Sequence, residues 1–286
     1  MSLTPRSFIV LLVIGCSLGV FQRTEAQSPP PGAKTQSDTV DFNANGEVEI
    51  DNRTGSITVT TWDRAKVGYE VTLAPAEGDS VVTTGIDIHH TEEEMSFDHD
   101  HSWSLRIPGL LTISPDGDSE PIGHYRIVMP RTAGLEIDDY ASTIQVTDLR
   151  ANADIDSHQG SVTIRGVEGT LALDTFSGTA EAMGLRGRVN LETHSGRLTA
   201  AFEEFSGPSI AETYSGDLRL FLPSNTGFGV EMNADSSQFT IDEAFGTPSR
   251  DGDRWIYNGG GPNLSADTFS GTIELHPLDA DTTSSR

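Results

Sequence analysis

The chain has 286 residues and carries 43 acidic against 18 basic side chains, a formal net charge of −25. Nucleic-acid binding calls for a basic surface that displaces counterions from phosphate, and this balance argues against it. An apolar share of 35% with 29 glycines is not the composition of a disordered chain, and the length allows one large or two ordinary domains.

Residues 1–26 read as an export signal. Arg6 supplies the positive start, residues 7–21 form an apolar run, and Thr24, Glu25 and Ala26 offer a small-residue cleavage site. That run is shorter than the roughly 20 residues needed to span a bilayer, and no later segment comes close. The one cysteine, Cys16, follows Val13, Ile14 and Gly15, which resembles the box ahead of the lipidated cysteine of bacterial lipoproteins. The apolar stretch 17–21 behind it, where such proteins carry a polar tether, favours plain cleavage near Ala26. The expected location is the periplasm, the outer surface or outside the cell, free or lipid-anchored through Cys16. The mature chain should hold no disulfide and no transmembrane helix. Residues 27–38, with prolines at 29–31, are expected to form an extended, mobile linker.

Residues 48–59 alternate apolar and polar around Gly55. Between 60 and 130 four more segments alternate like strands: 67–73, 86–90, 102–107 and 125–129. They should form longer or hairpin-decorated early turns and the end cap that a stack of repeats requires. The same stretch gathers His89, His90, His99 and His101 among acidic residues. His99 and His101, two apart on a strand, would face one side and could bind a transition metal, with His89 or His90 reaching across a hairpin that turns near Glu93. The plainer reading is a solvated hairpin without a metal.

From residue 135 a unit recurs: strand, Asp/Glu-Thr-x-Ser-Gly corner, strand, second corner. Its marker position falls at Ser142, Gly160, Gly178 and Gly196, three steps of 18, and then at Gly216, Ser237 and Gly271 after steps of 20, 21 and 34. Leu171, Leu173, Ala180 and Ala182 share one parity, so each strand buries one face. Tight corners often need positive φ, which explains the glycine. An antiparallel meander and a parallel solenoid both satisfy the alternation. Only the solenoid demands a fixed length, because it keeps like residues over like about 4.8 Å apart. Small inward residues (Ala153, Ala180, Ala182, Ala200, Ala211, Ala266) suit a thin interior. The predicted fold is an all-β, parallel β-solenoid, single-stranded and β-helix-like, over residues 39–277 with about 18 residues per turn. Its N-terminal turns are irregular and its hand is left open. Residues 242–262, with Trp255, Tyr257 and glycines at 259–261, should project as a hairpin or loop, and Pro277 and the polar tail 278–286 should blunt the final edge.

The phrases at 48–59 and 125–130, the repeated Asp/Glu-Thr-x-Ser-Gly corners and the run 216–223 resemble the bacterial putative-adhesin domains of unknown function, over roughly residues 40–276. The resemblance implies a secreted or surface-exposed β-solenoid domain and supplies no catalytic residues. Ser142 and Ser237 depart from the corner glycine, so the regularity of those two turns is in question.

Two outward columns follow from the repeat. Two places before the marker stand Tyr140, His158, Phe176, His194, Tyr214 and Phe269, an aromatic row that could hold sugar rings or partner side chains, or could merely stiffen the corner by stacking. Just before the corner threonine stand Asp138, Asp156, Asp174, Glu192, Glu212 and Asp267, which either cap corner amides or attract cations. No calcium-loop spacing is present and no cofactor is expected. His-Glu-x-x-His, Gly-x-Ser-x-Gly and phosphate-cradling motifs are missing. The expected function is therefore a non-catalytic exported or cell-surface domain that presents an elongated surface to a glycan or protein partner. The competing readings are a carbohydrate-active lyase or glycosidase on the same scaffold, and an envelope-tethered lipoprotein module.

Overall fold

Period-two alternation carries directly into the structure, a computed structural model that describes residues 29–76, 82, 86–99, 105–107, 111–113, 121–232 and 238–278. Leu171, Leu173, Ala180 and Ala182 all turn inward and are buried, while Asp174 and Thr179 face solvent. Among the described residues the chain is all-β with mostly parallel strands. Its one helical element is a single 3-10 turn, Glu243–Phe245.

The first strands are β1 (Lys34–Asp41), β2 (Glu47–Trp62), β3 (Lys66–Ala74), β4 (Ile86–His90), β5 (Glu94–His99), the short pair β6 (Leu105–Ile107) and β7 (Leu111–Ile113), and β8 (Ile122–Pro130). The repeat region follows as β9 (Gly134–Leu149), β10 (Ala153–Val167), β11 (Thr170–Thr175), β12 (Thr179–Thr193), β13 (Arg197–Phe205), β14 (Ser209–Thr213) and β15 (Asp217–Pro223). The chain ends with β16 (Phe228–Met232), β17 (Phe239–Ile241), β18 (Ser249–Asp251), β19 (Arg254–Tyr257), β20 (Asn263–Thr268) and β21 (Thr272–Leu278).

The 18-residue step is the offset between stacked layers. Ala153 opposes Leu135 on one side and Leu171 on the other, and Leu171 opposes Val189, all in parallel ladders. The next layer follows at 20, where Asn190 opposes Ile210. The early copy joins the same stack, with Val48 opposite Leu135 and Gly55 opposite Ser142. Like residues thus lie over like, which an antiparallel meander cannot produce.

Chain order and layer order part company at both ends. β5 and β8 lie parallel along the outer edge of β2, so β2 sits inside the stack although it precedes them in sequence. β8 then pairs antiparallel with β3, β3 with β1, and β4 with β5. At the other end β20 and β21 slot between the layer of β14–β15 and the layer of β16–β17, pairing in parallel with both. Gly271 therefore meets Gly216. Pro277 lies opposite Leu222 of β15, two residues past the end of the β17 ladder at Leu275.

Two further expectations are corrected. Residues 34–38, read as mobile linker, form the first part of β1, with Lys34 opposite Leu73 and Asp38 opposite Tyr69. Backbone ladder bonds hold this strand while nearly all its side chains stay exposed, so no alternation marks it in the sequence. The 242–262 insertion does not project. Its β18–β19 hairpin lays β19 antiparallel along β16 and buries Tyr257 against Phe228 and Phe245. The middle of the core is thin, with Ala182, Ala200, Ala211 and Ala266 fully buried. Aromatic side chains close both ends: Tyr69, Phe97 and Tyr125 at one, Phe228, Phe245 and Tyr257 at the other.

Candidate functional site

Every residue of the corner phrase has a separate task. The threonines turn inward, and three of them cap the glycine three residues on: Gly196 N–H donates to Thr193 Oγ1 at 3.1 Å, Gly216 to Thr213 at 2.8 Å and Gly271 to Thr268 at 3.0 Å. The serines stitch layers together. Ser177 Oγ donates to the His158 carbonyl, Ser195 to that of Phe176, Ser215 to that of His194 and Ser270 to that of Tyr214, at 3.1–3.2 Å. The glycines permit close approach, since a β-carbon at Gly178 would stand 2.6 Å from the Gly160 carbonyl oxygen and at Gly196, Gly216 and Gly271 closer still. Positive φ, the reason expected from the sequence, applies in this column only to Gly55 (130°) and Gly160 (120°).

Ser142 departs from the glycine rule without breaking the register, which runs from Leu135 to Leu149 against β10. Its side chain is buried and accepts a hydrogen bond from Asn52 Nδ2 at 2.7 Å, and its N–H donates to Asp139 Oδ2 at 2.8 Å. Asp139 itself is 2% exposed, and burial pushes its carboxyl up to about 6 against the restraining hydrogen bonds of Ser142. Position 237 lies outside the described residues.

The ring column forms as its spacing predicts. Successive pairs from Tyr140 through His158, Phe176, His194 and Tyr214 to Phe269 have centroids 4.5–4.8 Å apart and planes within 14°. Each ring covers its neighbour's face, so ring edges line the rim, and Phe269 is 71% exposed. Tyr140 and Phe176 are 44% exposed and Tyr214 50%. Together with Phe269 and with Ile210, four residues before Tyr214, they are all of the exposed large apolar side chains among the described residues. One member escaped the sequence reading. Arg53 occupies the ring position of the β2 layer and sets its guanidinium carbon 5.8 Å from the Tyr140 centroid. Counting two places back from Gly55 would have found it.

The carboxylate column runs beside the rings. Asp51, Asp138, Asp156, Asp174, Glu192, Glu212 and Asp267 stack in register, and those from Asp138 onward are exposed. The threonines, not these acids, cap the corner amides. Burial first, and neighbouring carboxylates second, raise Asp156 and Asp174 above the ordinary aspartate value, with His194 partly offsetting the rise at Asp174. Glu136, one rung inward on the same face, is raised in the same way.

The bend at Gly166 and Gly184, away from the Ser-Gly corner, holds a groove of about 360 Å³. Gly166 and Gly184 leave its floor bare at φ of 72° and 71°, and Asp148 continues their column at 60°. Its arginines are matched by acids, Arg150 with Glu168 at 3.3 Å and Arg186 with Glu203 at 2.6 Å, so the groove has little net charge.

Of the histidine cluster, His89 and His90 lie on β4 and His99 ends β5. The β4–β5 hairpin sets His89 opposite Ser96 and His99 opposite Ile86, three rungs apart. His101 and Cys16 lie outside the described residues, and no group of three metal-ligating side chains occurs among those described. No described helix is long and apolar enough to cross a membrane.

Residues 129–276 match the profile of a family described as Toastrack DUF4097. The match agrees with the resemblance drawn from the corner phrases, although the 48–59 phrase lies upstream of it. No curated protein matches the chain. Among solved structures, a putative adhesin from Bacteroides fragilis NCTC 9343 is similar at 14% identity and a TM-score of 0.36, over 86% of this chain and 97% of that one. A putative cell adhesion protein from Clostridium sporogenes ATCC 15579 is similar at 8% identity and a TM-score of 0.31, over 86% of this chain and 100% of that one.

Proposed function

Because the chain belongs to the Toastrack DUF4097 family, we propose that it is a non-catalytic binding domain, exported or held at the cell surface, whose parallel stack is an elongated β-solenoid with about 18 residues per turn. The partner, a protein or a glycan, docks along the rim of stacked rings. One observation carries this reading: of the five large apolar side chains left in solvent among the described residues, Tyr140, Phe176, Tyr214 and Phe269 lie in that rim and only Ile210 lies outside it. Burial of an apolar stripe rimmed by charge is a common way for soluble proteins to dock partners. The stacking also stiffens the corner, each ring pair adding about 0.5–1.5 kcal/mol beyond its buried area, and a stiff rim loses little entropy on binding.

The test is a protein and glycan binding screen of the full chain, repeated with Phe176→Ser and Tyr214→Ser. We expect a bound partner to be lost by about tenfold or more on either substitution, with the strand circular-dichroism signal retained. A partner held equally well by both variants would place binding elsewhere.

A further inference from the structure

We propose that the rim's partner is an extended, arginine-bearing polypeptide segment that lies along the stack, with its guanidinium groups between the ring edges and the carboxylate column. This rests on the reading of the rim as the binding surface and names what it binds.

Three features favour that occupant. Ring faces, which sugar stacking uses, are covered by neighbouring rings within the column. The carboxylates beside the rings repeat at every layer, about 4.8 Å apart, and give the rim a charge opposite to a basic segment and hostile to an acidic glycan. A planar guanidinium can also hydrogen-bond two carboxylates of the column at once, whereas an ammonium offers a point charge only.

The experiment measures binding of a fluorescent, extended peptide of alternating arginine and glycine to the full chain by anisotropy, beside its lysine and glutamate counterparts. Two variants change net charge equally. One combines Asp174→Asn, Glu192→Gln and Glu212→Gln at the rim; the other combines Glu168→Gln, Glu203→Gln and Glu204→Gln at or beside the groove of Gly166 and Gly184. We expect the rim variant to weaken the arginine peptide by about tenfold or more and the groove variant by less than about twofold. The lysine peptide should bind several-fold more weakly than the arginine peptide, and the glutamate peptide should not bind. Equal losses in the two variants would reduce the effect to overall charge and overturn the proposal, as would equal binding of lysine and arginine peptides or no binding at low salt. If the screen yields a partner that depends on Phe176 and Tyr214 but is not displaced by the arginine peptide, the rim remains the site and this identification of its occupant fails. If no partner depends on those rings, both readings fail.

Discussion

Thr213 and Thr175 hold equivalent corner places with different bonding. Thr213 Oγ1 accepts from Gly216 N–H, whereas the buried Thr175 Oγ1 has no partner. Replacing Thr213 with Val leaves a buried donor unpaired and should cost about 1–2 kcal/mol, while Thr175→Val removes an unsatisfied hydroxyl and should be neutral or stabilising; urea unfolding of the two variants decides. Asp139 gives a pH signature. Its folded-state carboxyl titrates at about 6, above the ordinary 3.8. Below 3.8 both folded and unfolded chains hold the proton, and the site costs nothing. As pH rises, the unfolded chain releases its proton first. The stability this group supplies is lost progressively and is gone above about 6. Asp139→Asn keeps an acceptor for Ser142 N–H and should raise stability near pH 7 by about 2–3 kcal/mol, with no gain near pH 3. Denaturant midpoints across that range would show the two curves converging at low pH. Neither effect is legible in the sequence, since Asp139 occupies a threonine place in a weak copy and only its burial makes it unusual.

At the scale of the corner, the Thr, Ser and Gly positions could be read as one phrase, and their stacking followed from three equal steps. Their separate duties could not. The serine bonds cross to the previous layer, so they connect residues about 19 apart that no local motif links, as Ser195 does to Phe176. Likewise the glycine at 178 or 196 looks like a turn residue but is demanded by a carbonyl from the layer beneath. Gly196→Ala should therefore destabilise by about 2–4 kcal/mol through backbone displacement, and Ser195→Ala by only about 0.5–1.5 kcal/mol for its one hydrogen bond. Thermal unfolding of both checks the ranking. A Gly196→Ala variant no weaker than Ser195→Ala would show that the layers can separate at this corner without loss. The ring column was legible for the opposite reason: its members share one place in a constant frame, and parallel stacking turns that constancy into contact. Arg53 was passed over because it carries charge where the other copies carry rings.

Across the whole molecule, what the sequence could not reveal is the order of layers. Equal steps identify neighbours only while the chain advances one layer at a time. The longer steps after Gly216 hide the return of β20–β21 into a slot already bounded by two earlier segments. The arrangement separates two outcomes of truncation. In a stack assembled in chain order, removing residues 263–286 would fray the last layer and leave the rest intact. Here it empties an internal layer: β16 loses its parallel partner β20 and keeps only β19, and β14–β15 exposes the edge that β20–β21 had covered. Strand pairing then cannot connect β16–β19 to the remaining stack. In the truncated chain, hydrogen exchange at residues 228–232 and 254–257 should rise to the rate of an unfolded segment, while β9 to β12 stay protected. Retained protection at 228–232 would mean that β16 can dock on β14 unaided and that the slot is not needed to hold the end of the stack. The same dependence bears on folding. The outer layer and its aromatic cap, Phe228, Phe245 and Tyr257, can close the core only after the last strands of the chain have entered beneath them.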